Sequence, residues 1–358
     1  MKKQLKKLLA LGLSALLVLA VSGCGSSSSG SESSDSGSSN SDEVYRLSVS
    51  IHDSAQVPKT QYVQKWADAV TEASGGRLEV TVYSGGTLAA STEVLDAVKS
   101  GTCSIGVVFS GFFTGQFPLS DVITMPLAGL DNAVQATNVL WDLWESTPEM
   151  QAEYEDYKVI MLYAGPNNII CTNTPVSTAD DMRGLKLRAA AGTATDMCSG
   201  WNATPINMSS SELYQSMEKG VIDGYIIDFT GVNSWSLYEV TNYYTALPFY
   251  TQSWSVLMNK DVYESLPEDL QAIIDEYSTR EWSTGFGEVN EEEANEAWET
   301  AENEYGSTII VPEGDDLATF QPAADAYVQN WISSITTDTF DGQAFYDEAL
   351  ALGEQYAQ

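Results

Sequence analysis

Apolar and polar positions along the chain follow two rhythms. In "VYRLSVSI" (44–51) and "RLEVTVY" (77–83) they alternate among β-branched residues, which predicts half-buried strands. In "VPKTQYVQKWADAVTEASGG" (57–76) the apolar residues Val63, Trp66, Ala67 and Val70 keep helical spacing, with Pro58 in the first turn and Gly75-Gly76 as a stop. "STEVLDAVKSG" (91–101) predicts a second helix with a capping box in the Ser91–Val94 region, and "CSIGVVF" (103–109) a third strand. Strand, helix, strand, helix, strand is the grammar of a parallel α/β sheet, whose ligands sit beyond the C-terminal strand ends. His52, "YSGG" (83–86) and the aromatic "FSGFF" (109–113) fall on that rim.

The same grammar resumes at "KVIMLYAG" (158–165). "NIICTN", "LKLRAA", "ATPINM" and "VIDGYII" predict further strands, separated by a helical turn at "TADDM" and helices at "TATDMCSG" and "SSELYQSMEKG". Arg188 ends its strand, Lys186 shares its face, and Arg183 lies in the preceding turn. From 267 to 306 the apolar residues keep helical spacing against a heavily acidic face, and two more helices are expected near 314–334 and 341–357.

The N-terminus changes the picture. "MKKQLKK" precedes the apolar run "LLALGLSALLVLA", too short to span a bilayer, which predicts a signal peptide over 1–23. Ser22-Gly23 before Cys24 resembles a lipobox, so Cys24 is the expected lipidation site and the outer face of the cell membrane the expected location. The Ser/Gly-rich stretch 24–42 has almost nothing to bury and is expected to be a tether.

The chain has 16 Lys plus Arg against 50 Asp plus Glu, a net charge of −34. Loss of four signal-peptide lysines takes the mature chain to −38, which argues against nucleic acid or an anionic membrane surface as partner. Beyond Cys24 there are Cys103, Cys171 and Cys198, allowing at most one disulfide and a free thiol, with no CxxC spacing. His52 is the only histidine, so neither a multi-histidine zinc site nor a nucleophile triad with another histidine can be built. There is no GxSxG elbow, Walker A loop or GxGxxG cradle, and the SxxK spacing of Ser216 and Lys219 sits in an amphipathic helix without its partner motifs. No cofactor, metal or catalytic role is expected. A secreted hydrolase using His52 or a carboxylate pair is the alternative of a different class.

Four segments in order, "GGRLEVTVYSGGTLAASTEVLDAVKSGTCSIGVV", "DMRGLKLRAA", "GWNATPINMSSSELYQSMEKGVIDGY" and "MNKDVYESLPEDLQAII", resemble the extracytoplasmic solute-binding proteins of TRAP transporters. The resemblance implies a two-domain periplasmic-binding-protein-like α/β fold joined by crossing strands and a long helix. Domain I would comprise 44–164 plus about 254–300, domain II 165–253, and C-terminal helices from about 301 to 358 would pack on both. The cleft would close on a small organic acid for delivery to a membrane permease, the protein acting as a monomer. A ligand sensor for a membrane receptor is the alternative within the same fold.

In that family the arginine ending "GLKLR" pairs with the ligand carboxylate, which places Arg188 in the cleft. A guanidinium stays charged and presents a planar fork to two carboxylate oxygens. Asn168 stands where sialic-acid-type relatives carry a second arginine, and Ile227 at or near a position where an asparagine is frequent. Those departures favour a monocarboxylate with an apolar or ring-bearing body, lined by Tyr225, Asp228, Phe112, Phe113 and Trp254. Asp228 would meet a ligand amine or cap a helix, and His52 would donate to the ligand or sit satisfied at a strand end.

Overall fold

The computed structural model describes residues 43–190 and 192–357, so the signal peptide, Cys24 and the tether lie outside the described residues. Asp42–Gln358 form one compact unit built on two sheets.

The first sheet has the order β2-β1-β3-β10-β4. β1 (Tyr45–Ser50) pairs in parallel with β2 (Leu78–Tyr83) and β3 (Ile105–Phe109), as the repeated strand–helix grammar requires. α1 (Pro58–Ala73) and α2 (Val94–Lys99) supply the crossovers. α1 buries Val63, Trp66, Ala67 and Val70, and the chain leaves it through Gly75 and Gly76 at φ 62° and 82°, a left-handed turn that glycine adopts without strain. The expected capping box on α2 is not formed, because the helix starts later and its N-cap Glu93 makes no side-chain bond.

β10 (Gln252–Asn259) enters antiparallel between β3 and β4 (Tyr157–Gly165). "KVIMLYAG" therefore closes the first sheet; it does not open the second. The chain passes directly from β4 to β5 (Ile169–Thr172) in the other sheet and returns from β9 (Tyr243–Thr245) to β10, so two crossings run side by side.

The second sheet has the order β11-β9-β5-β8-β6-β7. β6 (Lys186–Arg188) pairs in parallel with β7 (Thr204–Ile206) and β8 (Gly224–Ile227), while β5 is antiparallel to β8 and β9. α5 (Thr193–Gly200), α6 (Leu213–Glu218) and α7 (Phe229–Ser234) connect these strands, and β11 (Thr308–Ile310) adds to β9.

The sequence expectation missed α3 (Ala133–Ser146) and α4 (Pro148–Ala152), which cover the first sheet. The helical region from 267 is broken, with α8 (Lys260–Ser265) before it, α9 (Glu268–Glu276) ending at Tyr277, and α10 (Arg280–Asn303) restarting behind a Thr279 cap. α10 packs on α1, α3 and β4 of the first layer system and on α7 of the second. The expected helix at 314–334 is likewise two, α11 (Gly314–Ala318) and α12 (Gln321–Ile335), followed by α13 (Gly342–Tyr356). α12 sends Ala324 into the core of the second sheet and Val328, Trp331 and Ile332 into that of the first.

Candidate functional site

Three-residue β6 puts Leu187 into the core and ends on Arg188, 4% exposed. The guanidinium finds only neutral acceptors. Nε donates to the Met208 carbonyl at 3.1 Å, Nη2 to Ser210 Oγ at 3.0 Å, and Nη1 reaches the Ile226 carbonyl at 3.5 Å. Among the described residues it has no carboxylate within ion-pair distance. Burial lowers its pKa, and the nearby Tyr250, whose own hydroxyl is pushed up by burial, acts in the opposite direction. A buried cation with neutral partners carries an unbalanced charge. The loop after β7 brings Met208 and Ser210 over the fork, which buries it.

The two crossings meet beside it. Asn168, 3% exposed, bonds through its backbone N–H to the Tyr250 carbonyl at 2.9 Å. Its Oδ1 accepts from Gln252 Nε2 at 3.2 Å, and the same Nε2 donates to Asp228 Oδ2 at 2.7 Å. Gln252 Oε1 in turn accepts from Trp254 Nε1 at 3.0 Å.

Trp254 lies at the centre of an aromatic row set by register. It pairs across the sheet with Phe109 on β3 and Tyr163 on β4, at centroid separations of 4.9 and 6.1 Å. Phe112 meets Phe109 edge-on at 5.0 Å, and His52 stacks on Trp254 at 5.6 Å with 6° between planes. Gly165 makes room, since a Cβ there would come within 3.2 Å of Trp254 Nε1.

His52 Nε2 is 3.4 Å from Asp53 Oδ2, and Lys59 Nζ is 3.5 Å from Asp53 Oδ1. Burial depresses the His52 pKa, with Asp53 pulling it up and Lys59 pushing it down. For Asp53 burial acts upward, but Lys59 and His52 outweigh it and hold the carboxyl below its usual range. Burial thus favours the neutral form of His52 beside the carboxylate, while any charged imidazole would be held by Asp53.

Asn168, Trp254, Phe112 and His52 thus belong to one connected region of the two crossings and the adjoining strand ends, and Arg188 comes near it at Tyr250, which precedes the β10 strand. Two expectations need correction, and one open alternative is decided. Tyr225 is fully buried in a core with Leu213, Ile222 and Tyr244, and its hydroxyl is spent on Thr241 at 2.6 Å. Phe113 packs on the core of the first sheet, away from the aromatic row. Asp228 takes the second of its two alternatives: it is the N-cap of α7, accepting from the Gly231 N–H at 3.1 Å and from Thr230, and its other oxygen accepts from Gln252. Gln252, Asp53, Lys59 and Tyr250 were not anticipated. Gln252 stands two residues before Trp254 on one strand, and Asp53 directly follows His52, but neither position carries a signal of its own in the sequence.

Two mixed sheets, paired crossings and a buried arginine beside them define a solute-binding protein. The chain belongs to the bacterial extracellular solute-binding protein family 7, whose profile matches residues 49–334; the family is extracytoplasmic and serves TRAP transporters. A solute-binding protein of Chromohalobacter salexigens is 27% identical over 326 residues, 83% of this chain and 94% of its own. A TRAP solute-binding protein from Rhodoferax ferrireducens, solved with copurified benzoate, superposes with a TM-score of 0.80 at 26% identity, over 88% of this chain and 99% of that one. A marine metagenome TRAP solute-binding protein specific for aromatic acid ligands, solved with metahydroxyphenylacetate, gives a TM-score of 0.81 at 25% identity, over 88% and 100%.

Proposed function

We propose that this protein captures a small aromatic or otherwise ring-bearing monocarboxylate and delivers it to a TRAP-type membrane permease. The observation that carries the reading is Arg188, a buried guanidinium whose hydrogen bonds all go to neutral acceptors. A ligand carboxylate supplies the missing charge. Phe112, Phe109 and Trp254, edge-on and tilted to one another, supply an apolar aromatic row against which a ring packs. The aromatic acids bound by two relatives support the same ligand class. In this reading residues 44–164 with 254–300, and residues 165–253, are two lobes that close on the ligand about the crossings at 165–169 and 246–252. Lipidation at Cys24 holds the monomer at the outer face of the membrane.

Thermal unfolding against a panel of organic acids tests the capture step. Ligand at about one hundred times its Kd stabilises the folded state by roughly 2.7 kcal/mol. An aromatic acid is expected to raise Tm in the native protein and not in Arg188→Ala; a panel without a hit, or a hit indifferent to Arg188, contradicts the reading.

A further inference from the structure

Besides Ser50 Oγ on the strand itself, two polar atoms just past the C-terminal end of β1 are buried and have no hydrogen-bond partner among the described residues, His52 Nδ1 and Asp53 Oδ2. Such atoms are uncommon in folded proteins and call for a partner. Asp53 Oδ2 sits 3.4 Å from His52 Nε2 without hydrogen-bond geometry, and Lys59 lies on the other oxygen. With His52 neutral and the carboxylate beside Nε2, the ring proton belongs on Nε2. Nδ1 is then a lone pair. Both unpartnered atoms are acceptors, and both belong to residues joined to the aromatic row by the His52–Trp254 stack.

Trp254 Nε1 is held by Gln252, and both oxygens of Asp228 accept hydrogen bonds. Ser50 Oγ on β1 is also without a partner, but a hydroxyl can donate as well as accept, whereas a carboxylate oxygen and an imidazole lone pair can only accept.

We propose that His52 and Asp53 form a donor-reading subsite that selects, among ring-bearing carboxylates, those carrying a hydroxyl away from the carboxylate. This rests on the carboxylate reading of Arg188 and deepens it. A donor on the ligand satisfies the acceptors, whereas an unsubstituted ring leaves them buried and unpaired, and a methyl ether in the same place adds bulk without a proton.

The test is calorimetric titration of the full chain with benzoate, the three hydroxybenzoates, the hydroxyphenylacetates and the matching methyl ethers. The proposal expects one hydroxy acid to bind about tenfold or more tighter than its own ether and its unsubstituted parent. His52→Phe keeps the stack on Trp254 and removes Nδ1; Asp53→Asn keeps the shape and removes a charge. Each is expected to reduce the hydroxyl preference while the parent acid still binds. Acids that bind through Arg188 with no preference for the hydroxyl, or a preference unchanged in both variants, overturn this inference alone. Absence of binding by every acid overturns it together with the carboxylate reading.

Discussion

Gln252 donates to Asp228 at 2.7 Å, and through that bond the strand returning to the first sheet is fastened to the N-cap of α7 in the second. The same amide holds Asn168 and Trp254, so one side chain links both crossings, a helix terminus and the aromatic row.

Gln252→Ala leaves the far oxygen of Asp228 and the indole N–H of Trp254 without these partners. The expected cost is about 2 kcal/mol in urea unfolding. Gln252→Glu sets a carboxylate against Asp228, and its destabilisation should shrink as pH falls toward 4. An alanine variant as stable as the native protein contradicts the linking role.

Gly224 sits where β5, β6 and β8 press together. A Cβ there would lie 2.3 Å from the Cys171 carbonyl oxygen, 2.7 Å from Thr172 Cγ2 and 2.9 Å from Leu187 Cδ2. Gly224→Ala should therefore destabilise by roughly 1–3 kcal/mol through overpacking, and should also displace β6 and its Arg188. Chemical denaturation reads the first effect and loss of ligand-induced stabilisation the second.

Asp121 and Glu153 both titrate near pH 7, raised by burial and, for Asp121, by the neighbouring Glu153 charge; hydrogen bonds from Leu119 and Ser120 partly offset the rise in Glu153. In the unfolded chain both lose their protons near pH 4. Between those limits the folded state binds more protons, so stability falls as pH rises from about 4 to about 7 and levels above. Asp121→Asn should flatten that slope. An unchanged slope across pH 4–8 contradicts the assignment.

Cys103, Cys171 and Cys198 are all free and fully buried, so the disulfide that the sequence allowed is not formed among them. Burial pushes the Cys103 thiol up to about 11 and Cys198 to about 12. A thiol reagent at pH 8 should leave all three unmodified in the native protein and label them only on unfolding; rapid native labelling at any of them contradicts this.

Around β1–β3 the elements were legible because β1 and β2 alternate, α1 keeps helical spacing, and glycines follow α1, β2 and α2. α3 was not, because it lies among β4, α10 and α13 and is buried on several faces, which leaves no single stripe to read. Arg188 was singled out by the family resemblance, since a strand-end arginine by itself reads as a surface cation. Tyr225 misled because a tyrosine near the end of its strand reads equally as pocket lining or core, and only the tertiary fold brings its hydroxyl onto Thr241. Gln252 and Asp53 carry no periodic or motif signature, and their roles arise from what the crossings and the β1 end bring beside them.

The most direct test of the central claim is calorimetric titration of the native protein with an aromatic acid that stabilises it and with the matching primary amide, which keeps the shape and lacks the charge. Arg188 as carboxylate anchor predicts that the acid binds and the amide does so at least about a hundredfold more weakly, since truncating one side of a buried charge pair costs about 3 kcal/mol or more. Equal affinity for acid and amide would contradict it.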